Sequence, residues 1–389
     1  MKNFVGIQQR YLVPTYPNRG IAIVRGKGVY LYDQSGQKYL DLMSNIGVNI
    51  LGHSNQFIIS RLQAQLKKLT NLHCSFANDV RSQLLQELLK FLPPHLKRVY
   101  FCSTGTEAIE AAIKFACLST GRFNFVAAKN GYHGKTLGSL ALTSSSNGKY
   151  QKPFRKILPK FRFVKYGDLK DLEKKIDKSV AGIVLEPIQG EGGIIVPPKG
   201  YLKKIEKLSK NNGSLLVLDE IQTGMGRTGT FLASQQENVN PDIVCLSKGL
   251  GGGMPIGATI ITEEISAKIP KGAHTSTFGG NPLSCCGCLT TLDYFEKNNL
   301  LSHVNEMGQY FIKSLRNIKS KKIKKIRGRG LMIGIQLKTD ATPILKKLQD
   351  EGIIAAPSVE DTIRLLPPLI IQKNHVDFAI LKFREVLNE

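Results

Sequence analysis

The sequence predicts an α/β fold, with a large domain built on a mostly parallel sheet and a smaller α+β domain. Apolar runs of strand length alternate with polar or Gly-rich turns and helix-like segments, at 98–102, 123–127, 181–185, 214–218 and 242–246. Such alternation is typical of parallel strands that are connected by helices. Beyond residue 282 the pattern changes to a helical stretch at 283–315, short strands at 331–337 and 363–366, and a helix at 376–387.

The two predicted domains are interwoven along the chain. Its 389 residues allow two or three domains, at roughly 150 residues per domain. Residues 28–33 and 36–41 have the pattern of a hairpin, which we assign to the smaller domain. We therefore expect the large domain over residues 46–282, and the small domain over residues 1–45 together with 283–389.

The composition is that of a folded globular protein. Hydrophobic residues make up 42% of the chain and charged residues 22%. No stretch approaches the roughly 18 apolar residues of a membrane span, and residues 1–11 lack the apolar region of a signal peptide. The seven cysteines, an odd number, favour reduced thiols over a disulfide framework. We expect a cytoplasmic protein that does not associate with a membrane.

The chain is strongly basic, with 54 Lys and Arg residues against 30 Asp and Glu residues and a net charge of +24. A charge of this sign attracts nucleic acid, anionic membranes or acidic proteins. The densest run, 321–327, predicts the solvent-facing side of a strand or hairpin with two apolar anchors. Because no RNA-binding aromatic motif or zinc-finger spacing accompanies the charge, we predict no nucleic-acid partner. A basic nucleic-acid-binding protein on a degenerate enzyme scaffold is the non-enzyme alternative.

Charged side chains follow three of the predicted strands at the point where each strand ends. Glu186, Asp219 and Lys248 come directly or almost directly after the apolar runs, and their spacing matches one strand-helix-strand unit each. Because ligands bind at the carboxyl edge of a parallel sheet, we expect these residues to share a site there. A structural ion pair between Lys248 and Asp219 is the alternative, although such a buried pair adds little net stability.

Lys248 is followed by the Gly-rich run 249–253, which leaves the backbone open to a planar ring. An amine in such a place suits Schiff-base chemistry. Upstream, residues 103–106 lead from a strand into a helix, and a helix N-terminus with free amides and hydroxyls is a site for an anion. Lys129 and Ile256 occupy positions where a P-loop and a dinucleotide fingerprint require Gly, so both nucleotide motifs are excluded.

Further motifs extend this pattern along nearly the whole chain. They are Gly47-Val-Asn-x-Leu-Gly-His53, Ser103-Thr-Gly-Thr-Glu-Ala108, Tyr132-His-Gly134, Glu186-Pro-Ile-Gln-Gly-Glu191, Leu218-Asp-Glu-Ile-Gln-Thr-Gly224, Ser247-Lys-Gly-Leu-Gly-Gly-Gly253, Ser276-Thr-Phe-Gly-Gly-Asn-Pro282 and Arg364-Leu-Leu-Pro-Pro368. With these motifs in this order, the sequence resembles the class III (fold type I) pyridoxal-phosphate aminotransferases, and within them the acetylornithine and ornithine aminotransferases. The resemblance implies the fold type I architecture and pyridoxal 5'-phosphate as cofactor.

The resemblance also assigns the catalytic residues. Lys248 would form the Schiff base with the cofactor and then move the proton between substrate and cofactor carbons. Asp219 would hold the pyridine nitrogen protonated, which makes the ring an electron sink. His53 and His133 lie in the motifs, and we expect them to have positioning roles rather than acid-base roles.

Further cofactor-binding residues are implied in the same way. Gly105 and Thr106 would donate to the phosphate, and Gln222 would contact the ring hydroxyl. Glu186 is also among the predicted cofactor-binding residues. Tyr132, where the family usually has Phe, would stack on the ring. Thr277 would reach the phosphate of the neighbouring subunit, which implies a homodimer with its active site at the subunit interface.

The implied reaction moves the ω-amino group of N-acetylornithine to 2-oxoglutarate, giving the semialdehyde and glutamate by a ping-pong mechanism in arginine biosynthesis. Arg364 would bind the α-carboxylate of glutamate or 2-oxoglutarate bidentately. Glu191 would pair with Arg364 while the ω-amino substrate occupies the site. Lys135 and Ser276 complete the predicted substrate-binding residues.

Lys135 departs from the family pattern, because acetylornithine and ornithine aminotransferases usually have Arg at this position. Lys does not replace Arg at a bidentate site, although it can hold a carboxylate as a point charge. A diamine or 4-aminobutyrate aminotransferase is therefore an alternative. An aminotransferase for lysine or ornithine bound to an acidic carrier protein is another, favoured by the net charge of +24.

One further motif has a structural interpretation. Cys285 and Cys288 form a Cys-x-x-Cys pair, but no second pair lies at a metal-binding spacing. We expect these cysteines, with Cys286, to pack inside a helix, because small residues of this kind fill the core. No metal site is predicted.

Overall fold

The computed structural model describes residues 3–388. The strands are β1 (Ile23–Lys27), β2 (Tyr30–Asp33), β3 (Lys38–Asp41), β4 (Leu96–Cys102), β5 (Asn124–Ala128), β6 (Arg162–Val164), β7 (Val180–Leu185), β8 (Leu215–Asp219), β9 (Ile243–Leu246), β10 (Gly257–Thr262), β11 (Ile323–Arg329), β12 (Met332–Leu337), β13 (Ile353–Ile354), β14 (Ala356–Pro357) and β15 (Thr362–Leu365). The helices are α1 (Phe4–Tyr11), α2 (Ser44–Gly47), α3 (Gln56–Lys68), α4 (Asp79–Lys90), α5 (Gly105–Thr120), α6 (Leu137–Leu142), α7 (Leu169–Glu173), α8 (Tyr201–Asn212), α9 (Glu263–Ser266), α10 (Pro282–Lys297), α11 (Leu300–Arg316), α12 (Thr342–Asp350) and α13 (Lys373–Asn388). Short 3₁₀ segments occupy Ser146–Gly148, Lys152–Phe154, Ala233–Glu237 and Lys248–Gly251.

The central sheet has the strand order β4-β10-β9-β8-β7-β5-β6. Strands β9, β8, β7, β5 and β6 are parallel, whereas β10 runs antiparallel to both of its neighbours. The mostly parallel sheet is therefore confirmed, and the five predicted apolar runs correspond to β4, β5, β7, β8 and β9. Strands β6 and β10 were absent from the prediction.

The central sheet is apolar on both faces because helices cover both of them. Alternate residues of the strands point to opposite sides. Val184 and Val217 pack with the apolar face of α5, whereas Ile183 and Leu216 pack with α8. This burial explains the continuous apolar runs from which the parallel strands were predicted.

Two smaller sheets flank the central one. The first has the order β1-β2-β3-β13 and contains the predicted hairpin as the antiparallel pair β2 and β3. Its last strand, β13, joins residues from beyond 283 to the N-terminal segment through a parallel pairing with β3. In the second sheet, β11-β12-β15-β14, most of the basic run lies in the edge strand β11, where Lys324 and Lys325 are exposed and the other residues are half-buried. The domain division at residues 46 and 282 remains a prediction.

The helical stretch predicted at 283–315 is confirmed, and it consists of two helices, α10 and α11. Helix α10 ends at Lys297 with Asn298 as its C-cap, and Asn299 has a φ of 45° before α11 begins. This left-handed conformation is tolerated by Asn better than by most residues, which permits the sharp break. Cys285, Cys286 and Cys288 are buried in α10, as predicted for core packing. Within residues 3–388, none of the helices is both long and apolar enough to cross a membrane.

Candidate active site

A cavity of ≈ 340 Å³ lies at the carboxyl edge of the central sheet. Its lining includes all three strand-end residues, Glu186, Asp219 and Lys248. The other lining residues are Tyr16, Gly105, Thr106, Tyr132, His133, Gly134, Lys135, Glu191, Ile221, Gln222 and Ser247. The parallel arrangement of β7, β8 and β9 brings these distant parts of the chain together.

Lys248 follows β9 in a backbone conformation that is uncommon for lysine, with a φ of +44°. Such conformations cost about 1–3 kcal/mol and occur preferentially at functional sites. Within residues 3–388, no side chain forms an ion pair with its amine. Burial, followed by the charge of Arg364, lowers the pKa of Lys248 to about 8, although Asp219, Glu186 and Glu191 oppose the shift. A neutral amine is therefore accessible near physiological pH.

Asp219 ends β8 and is paired with His133, not with Lys248. The distance from His133 Nδ1 to Asp219 Oδ2 is 2.8 Å, and both side chains are buried. The other carboxylate oxygen of Asp219 accepts a hydrogen bond from the backbone N–H of Ile221 at 3.1 Å. Burial by itself lowers the pKa of His133. The hydrogen bond to Asp219 and the negative charge of Asp219 more than compensate, so the pKa of His133 is raised overall.

The N-terminus of α5 forms one end of the cavity. Thr104 and Glu107 close a capping box, in which Glu107 Oε2 accepts from the backbone N–H of Thr104 at 2.8 Å. Among the described residues, the backbone N–H groups of Gly105 and Thr106 have no acceptor. A Cβ atom on Gly105 would lie 2.9 Å from Ile221 Cδ1, so this position favours glycine. Two free amides at the start of a 16-residue helix suit an anion.

The hydroxyl of Thr106 is held by a polar cluster. Thr106 Oγ1 lies 2.6 Å from Ser139 Oγ and 2.8 Å from Thr136 Oγ1. Glu110 accepts from Thr136 Oγ1 at 2.5 Å and from the backbone N–H of Ser139 at 3.0 Å. These bonds connect α5 to the first residues of α6 and to Thr136 just before it, so they fix one wall of the cavity.

Both carboxylate oxygens of Glu186 accept hydrogen bonds from backbone N–H groups. It accepts from the N–H of Tyr132 at 3.0 Å and from the N–H of Gly190 at 2.8 Å. Burial raises the pKa of Glu186 to about 7, although the nearby imidazole of His133 favours the charged form. In this arrangement Glu186 holds two loops of the cavity together, and its predicted contact with the cofactor stays a prediction.

Arg364 reaches the site from β15 of a different sheet and forms an ion pair with Glu191. Its Nη2 atom lies 2.9 Å from Glu191 Oε2, and only 2% of the side chain is exposed. The guanidinium also donates to Gln222 Oε1 at 3.3 Å and to the carbonyl of Pro357 at 3.1 Å. The structure therefore brings Gln222 to Arg364, and the predicted contact of Gln222 with the ring hydroxyl stays a prediction.

Lys135 lies at the mouth of the cavity and is exposed. Its Nζ atom is 4.2 Å from the ring centre of Tyr150, a distance at which the ring attracts the ammonium. The ring of Tyr150 in turn meets that of Tyr132 edge-on, with the centres 6.3 Å apart. Tyr150 thus connects the predicted substrate-binding lysine to the cavity wall.

Ser276 and Thr277 lie outside the cavity lining within the described part of this chain. Ser276 Oγ accepts from the N–H of Gly279 at 3.0 Å, and Thr277 is exposed. Phe278, the next residue, has 59% of its surface exposed. The predicted roles of both residues stay predictions.

Four lining residues had no predicted role: Gly134, Ile221 and Ser247, which lie in the motifs, and Tyr16, which lies outside them. Ile221 packs against Gly105, and its position two residues after Asp219 could have suggested it. Tyr16 comes from an N-terminal segment that has no recognisable pattern, and 88% of its surface is exposed. No signal in the sequence predicted its place at the cavity.

Comparisons with known proteins show which family the chain resembles. The family model of class-III aminotransferases matches residues 12–387. Acetylornithine aminotransferase from Aquifex aeolicus is 41% identical over 382 residues, which cover 97% of this chain and 100% of that protein. The [LysW]-aminoadipate semialdehyde transaminase of Deinococcus radiodurans is 37% identical, over 99% of this chain and 90% of that protein.

A solved structure shares the fold. Ornithine aminotransferase from Toxoplasma gondii, reported with partial occupancy of PLP at its active site, superimposes with a TM-score of 0.93. It is 31% identical, and the match covers 99% of this chain and 93% of that chain. The predicted fold type I architecture is thereby confirmed. With the family model spanning nearly all of its length, the chain belongs to the class-III aminotransferases, which are PLP-dependent transaminases.

Proposed function

We propose that this aminotransferase moves the ω-amino group of N-acetylornithine to 2-oxoglutarate, forming the semialdehyde and glutamate in two half-reactions. The observation that carries the proposal is the ion pair between Arg364 and Glu191 at the cavity, with an N···O distance of 2.9 Å. A guanidinium in this place binds the carboxylate of glutamate or 2-oxoglutarate. Paired with Glu191, it tolerates a substrate that presents no carboxylate there.

Pyridoxal phosphate fits the donors of the cavity. The free amides of Gly105 and Thr106 at the N-terminus of α5 suit the phosphate. The buried carboxylate of Asp219 suits a protonated ring nitrogen, and the amine of Lys248, without an ion-pair partner in residues 3–388, suits the carbonyl carbon of the cofactor. Tyr132 would cover the ring. When bound, this cofactor supplies an electron sink for the reacting carbon of the substrate.

The residues of this chain would then divide the work between them. Asp219 holds the proton on the ring nitrogen, and His133 orients Asp219 through the 2.8 Å hydrogen bond. Lys248 moves the proton at the substrate carbon, a role helped by a pKa that burial lowers to about 8. Glu186 fixes the loops that carry Tyr132 and Gly190.

Lys135 would hold the α-carboxylate of the ω-amino substrate. Its ammonium lies at the cavity mouth, on the ring of Tyr150. N-acetylornithine keeps its α-carboxylate but has no charged α-amine, so a single cation at the mouth suffices to bind it. A diamine offers no carboxylate to this cation and would be repelled by it, which favours the amino acid over the diamine.

We further propose a homodimer in which Thr277 and Ser276 contribute to the site of the second copy. The two residues lie on an exposed segment and do not line the cavity of their own chain within the described residues. The adjacent Phe278, with 59% of its surface exposed, would be covered in such an assembly. Sedimentation of the purified protein, together with complementation between a Thr277→Ala chain and a Lys248→Ala chain, tests this arrangement.

A second candidate function uses the same chemistry on a carrier-bound substrate. It is supported by the Deinococcus radiodurans relative, which is named for a LysW-linked substrate, and by the net charge of +24. In that case the α-amino group of the donor would be joined to an acidic protein by an amide bond and would carry no acetyl group.

The deciding experiment is an amino-donor panel with 2-oxoglutarate, in which glutamate formation is followed. N-acetylornithine should give the highest kcat/KM among the free donors, with ornithine, 4-aminobutyrate, putrescine and lysine as competitors. A preference for putrescine or 4-aminobutyrate would replace the proposal with the diamine or aminobutyrate activity.

A further inference from the structure

A long part of the chain beside the active site carries only positive charge. Between Glu110 and Asp168 there is no Asp or Glu residue, while there are eleven Lys and Arg residues. They are Lys114, Arg122, Lys129, Lys135, Lys149, Lys152, Arg155, Lys156, Lys160, Arg162 and Lys165. Four of them fall within residues 149–157, which we name the basic loop.

The basic loop is an ordered surface built from consecutive turns. It includes the 3₁₀ segment Lys152–Phe154. Gln151 Nε2 donates to the carbonyls of Leu140 and Ala141, at 2.9 and 3.0 Å, which anchors the loop to α6. Its basic residues, Lys149, Lys152, Arg155 and Lys156, are all exposed.

The basic loop borders the mouth of the active-site cavity. Tyr150, which belongs to the loop, lies beneath the ammonium of Lys135 at 4.2 Å and meets Tyr132 edge-on. Both Lys135 and Tyr132 line the cavity. A molecule resting on the loop would therefore lie next to the place where the amino donor enters.

The positive charges of this surface are not neutralised within the described part of the chain. Neither Lys135 nor any basic residue of the loop forms an ion pair there. Elsewhere exposed lysines do find partners, as Lys203 and Lys210 do with Glu206. Clustered, unpaired charges of one sign attract a partner of the opposite sign and accelerate its association.

Exposed apolar side chains are mixed with these charges. Leu137 is 51% exposed, Phe154 46% and Ile157 62%. A nucleic-acid backbone is bound chiefly by cations and polar groups, whereas a protein interface combines apolar contacts with a charged rim. The mixture favours an acidic protein or peptide over a nucleic acid.

We propose that the basic loop and Lys135 form a docking surface for an acidic protein or peptide that carries the amino donor. The inference rests on the proposed ω-amino transfer and deepens its second candidate form, because the carried group is an ornithine or lysine whose ω-amine reacts in the described cavity. Its α-amino group would be joined to the carrier by an amide, in the position where N-acetylornithine has its acetyl group. No new chemical step is required.

The test compares carriers of different charge. In the acidic conjugate, the α-amino group of ornithine is coupled to the C-terminal carboxyl of a hexaglutamate peptide. In the matched neutral conjugate, it is coupled in the same way to a hexaglutamine peptide. At low salt we expect kcat/KM for the acidic conjugate to exceed that for the neutral one by about tenfold or more. The difference should shrink as salt is raised, since the attraction is screened.

Charge reversal locates the surface. The triple variant Lys149→Glu, Lys152→Glu, Arg155→Glu should abolish the preference for the acidic conjugate and leave kcat/KM for N-acetylornithine within about twofold. The control variant Lys313→Glu, Arg316→Glu, Lys319→Glu makes the same change in net charge at exposed residues in the last turn of α11 and just after it. Helix α11 packs against β11 and α13. The control should keep the preference.

A measurement of peptide binding tests the docking surface independently of catalytic turnover. Fluorescently labelled hexaglutamate should bind the wild type and the α11 control, and should bind the loop variant at least about tenfold more weakly. Equal turnover of both conjugates, or equal binding by the loop variant and the control, would overturn the proposal. Salt-sensitive binding of a single-stranded DNA oligonucleotide in place of the peptide would also overturn it and assign the surface to nucleic acid. Loss of all turnover, including that of N-acetylornithine, with peptide binding intact would instead refute the proposed function.

Discussion

His133 Nδ1 lies 2.8 Å from Asp219 Oδ2 in a fully buried pair at the carboxyl edge of the central sheet. The other imidazole nitrogen, Nε2, is buried and has no partner among residues 3–388. Asp219 also accepts from the backbone N–H of Ile221. Its orientation is therefore fixed from two sides, which is what a carboxylate needs in order to hold one proton on one ring nitrogen.

Removing the imidazole should weaken catalysis more than binding. We expect His133→Ala to lower kcat by about tenfold to a hundredfold, because a hydrogen bond to a charged group contributes roughly 1.5–3 kcal/mol. The KM for the amino donor should change little. His133→Asn places an amide near the position of Nδ1 and should recover much of the loss. Equal losses in both variants would indicate a packing role for the imidazole.

Neutralising Asp219 should separate cofactor retention from turnover. Asp219→Asn is expected to keep bound pyridoxal phosphate, since the phosphate and Lys248 contacts remain. Its rate of single-turnover amino transfer should fall by about 10²–10³-fold, the usual loss for a removed electrostatic contact in an active site. Near-normal transfer would show that Asp219 has only a structural role.

The uptake of cofactor should depend on the ionisation of Lys248. Its pKa is lowered from 10.5 to about 8, chiefly by burial and then by the charge of Arg364. Because only the neutral amine attacks a carbonyl, the rate at which the apoprotein takes up pyridoxal phosphate should rise with pH and level off above about 8. Arg364→Gln removes a positive charge and should move the midpoint to higher pH. A wild-type midpoint near 10 would contradict the prediction.

Lys135 should affect one half-reaction only. Lys135→Ala is expected to lower kcat/KM for N-acetylornithine by about tenfold to a hundredfold, because one charge-assisted contact of roughly 1.5–3 kcal/mol is lost. The glutamate half-reaction, which uses Arg364, should change little. Lys135→Arg should retain or raise activity, since its guanidinium can bind the carboxylate bidentately. Equal losses on both sides would mean that Lys135 does not discriminate between the substrates.

The parallel layer of the fold could be predicted from the sequence because its signals are local. Each buried strand is one apolar run, and Glu186, Asp219 and Lys248 stand at or next to the ends of three of them. Strand β10 escaped prediction because its antiparallel place between β4 and β9 depends on partners distant in sequence. The break at Asn299 depends on one backbone angle, which helical periodicity does not reveal.

Within the site, residue identities were predictable and several contacts were not. Arg364 and Glu191 form an ion pair, and its predicted link to the presence of the ω-amino substrate stays a prediction. The bond between Asp219 and His133 joins residues 86 positions apart, and neither side chain signals the other. The contact of Lys135 with Tyr150 likewise arises only when the loop after α6 folds back over the mouth of the cavity. Tyr16 enters from a segment without periodicity.

Transfer of the ω-nitrogen is the central claim, and one labelling experiment tests it directly. N-acetylornithine labelled with ¹⁵N only at its ω-amine is incubated with the holoenzyme and unlabelled 2-oxoglutarate, and the glutamate formed is analysed by mass spectrometry. The account predicts that essentially every glutamate molecule carries ¹⁵N, in a one-to-one ratio with the semialdehyde. Unlabelled glutamate, or no glutamate from this donor while another amine is consumed, would contradict it.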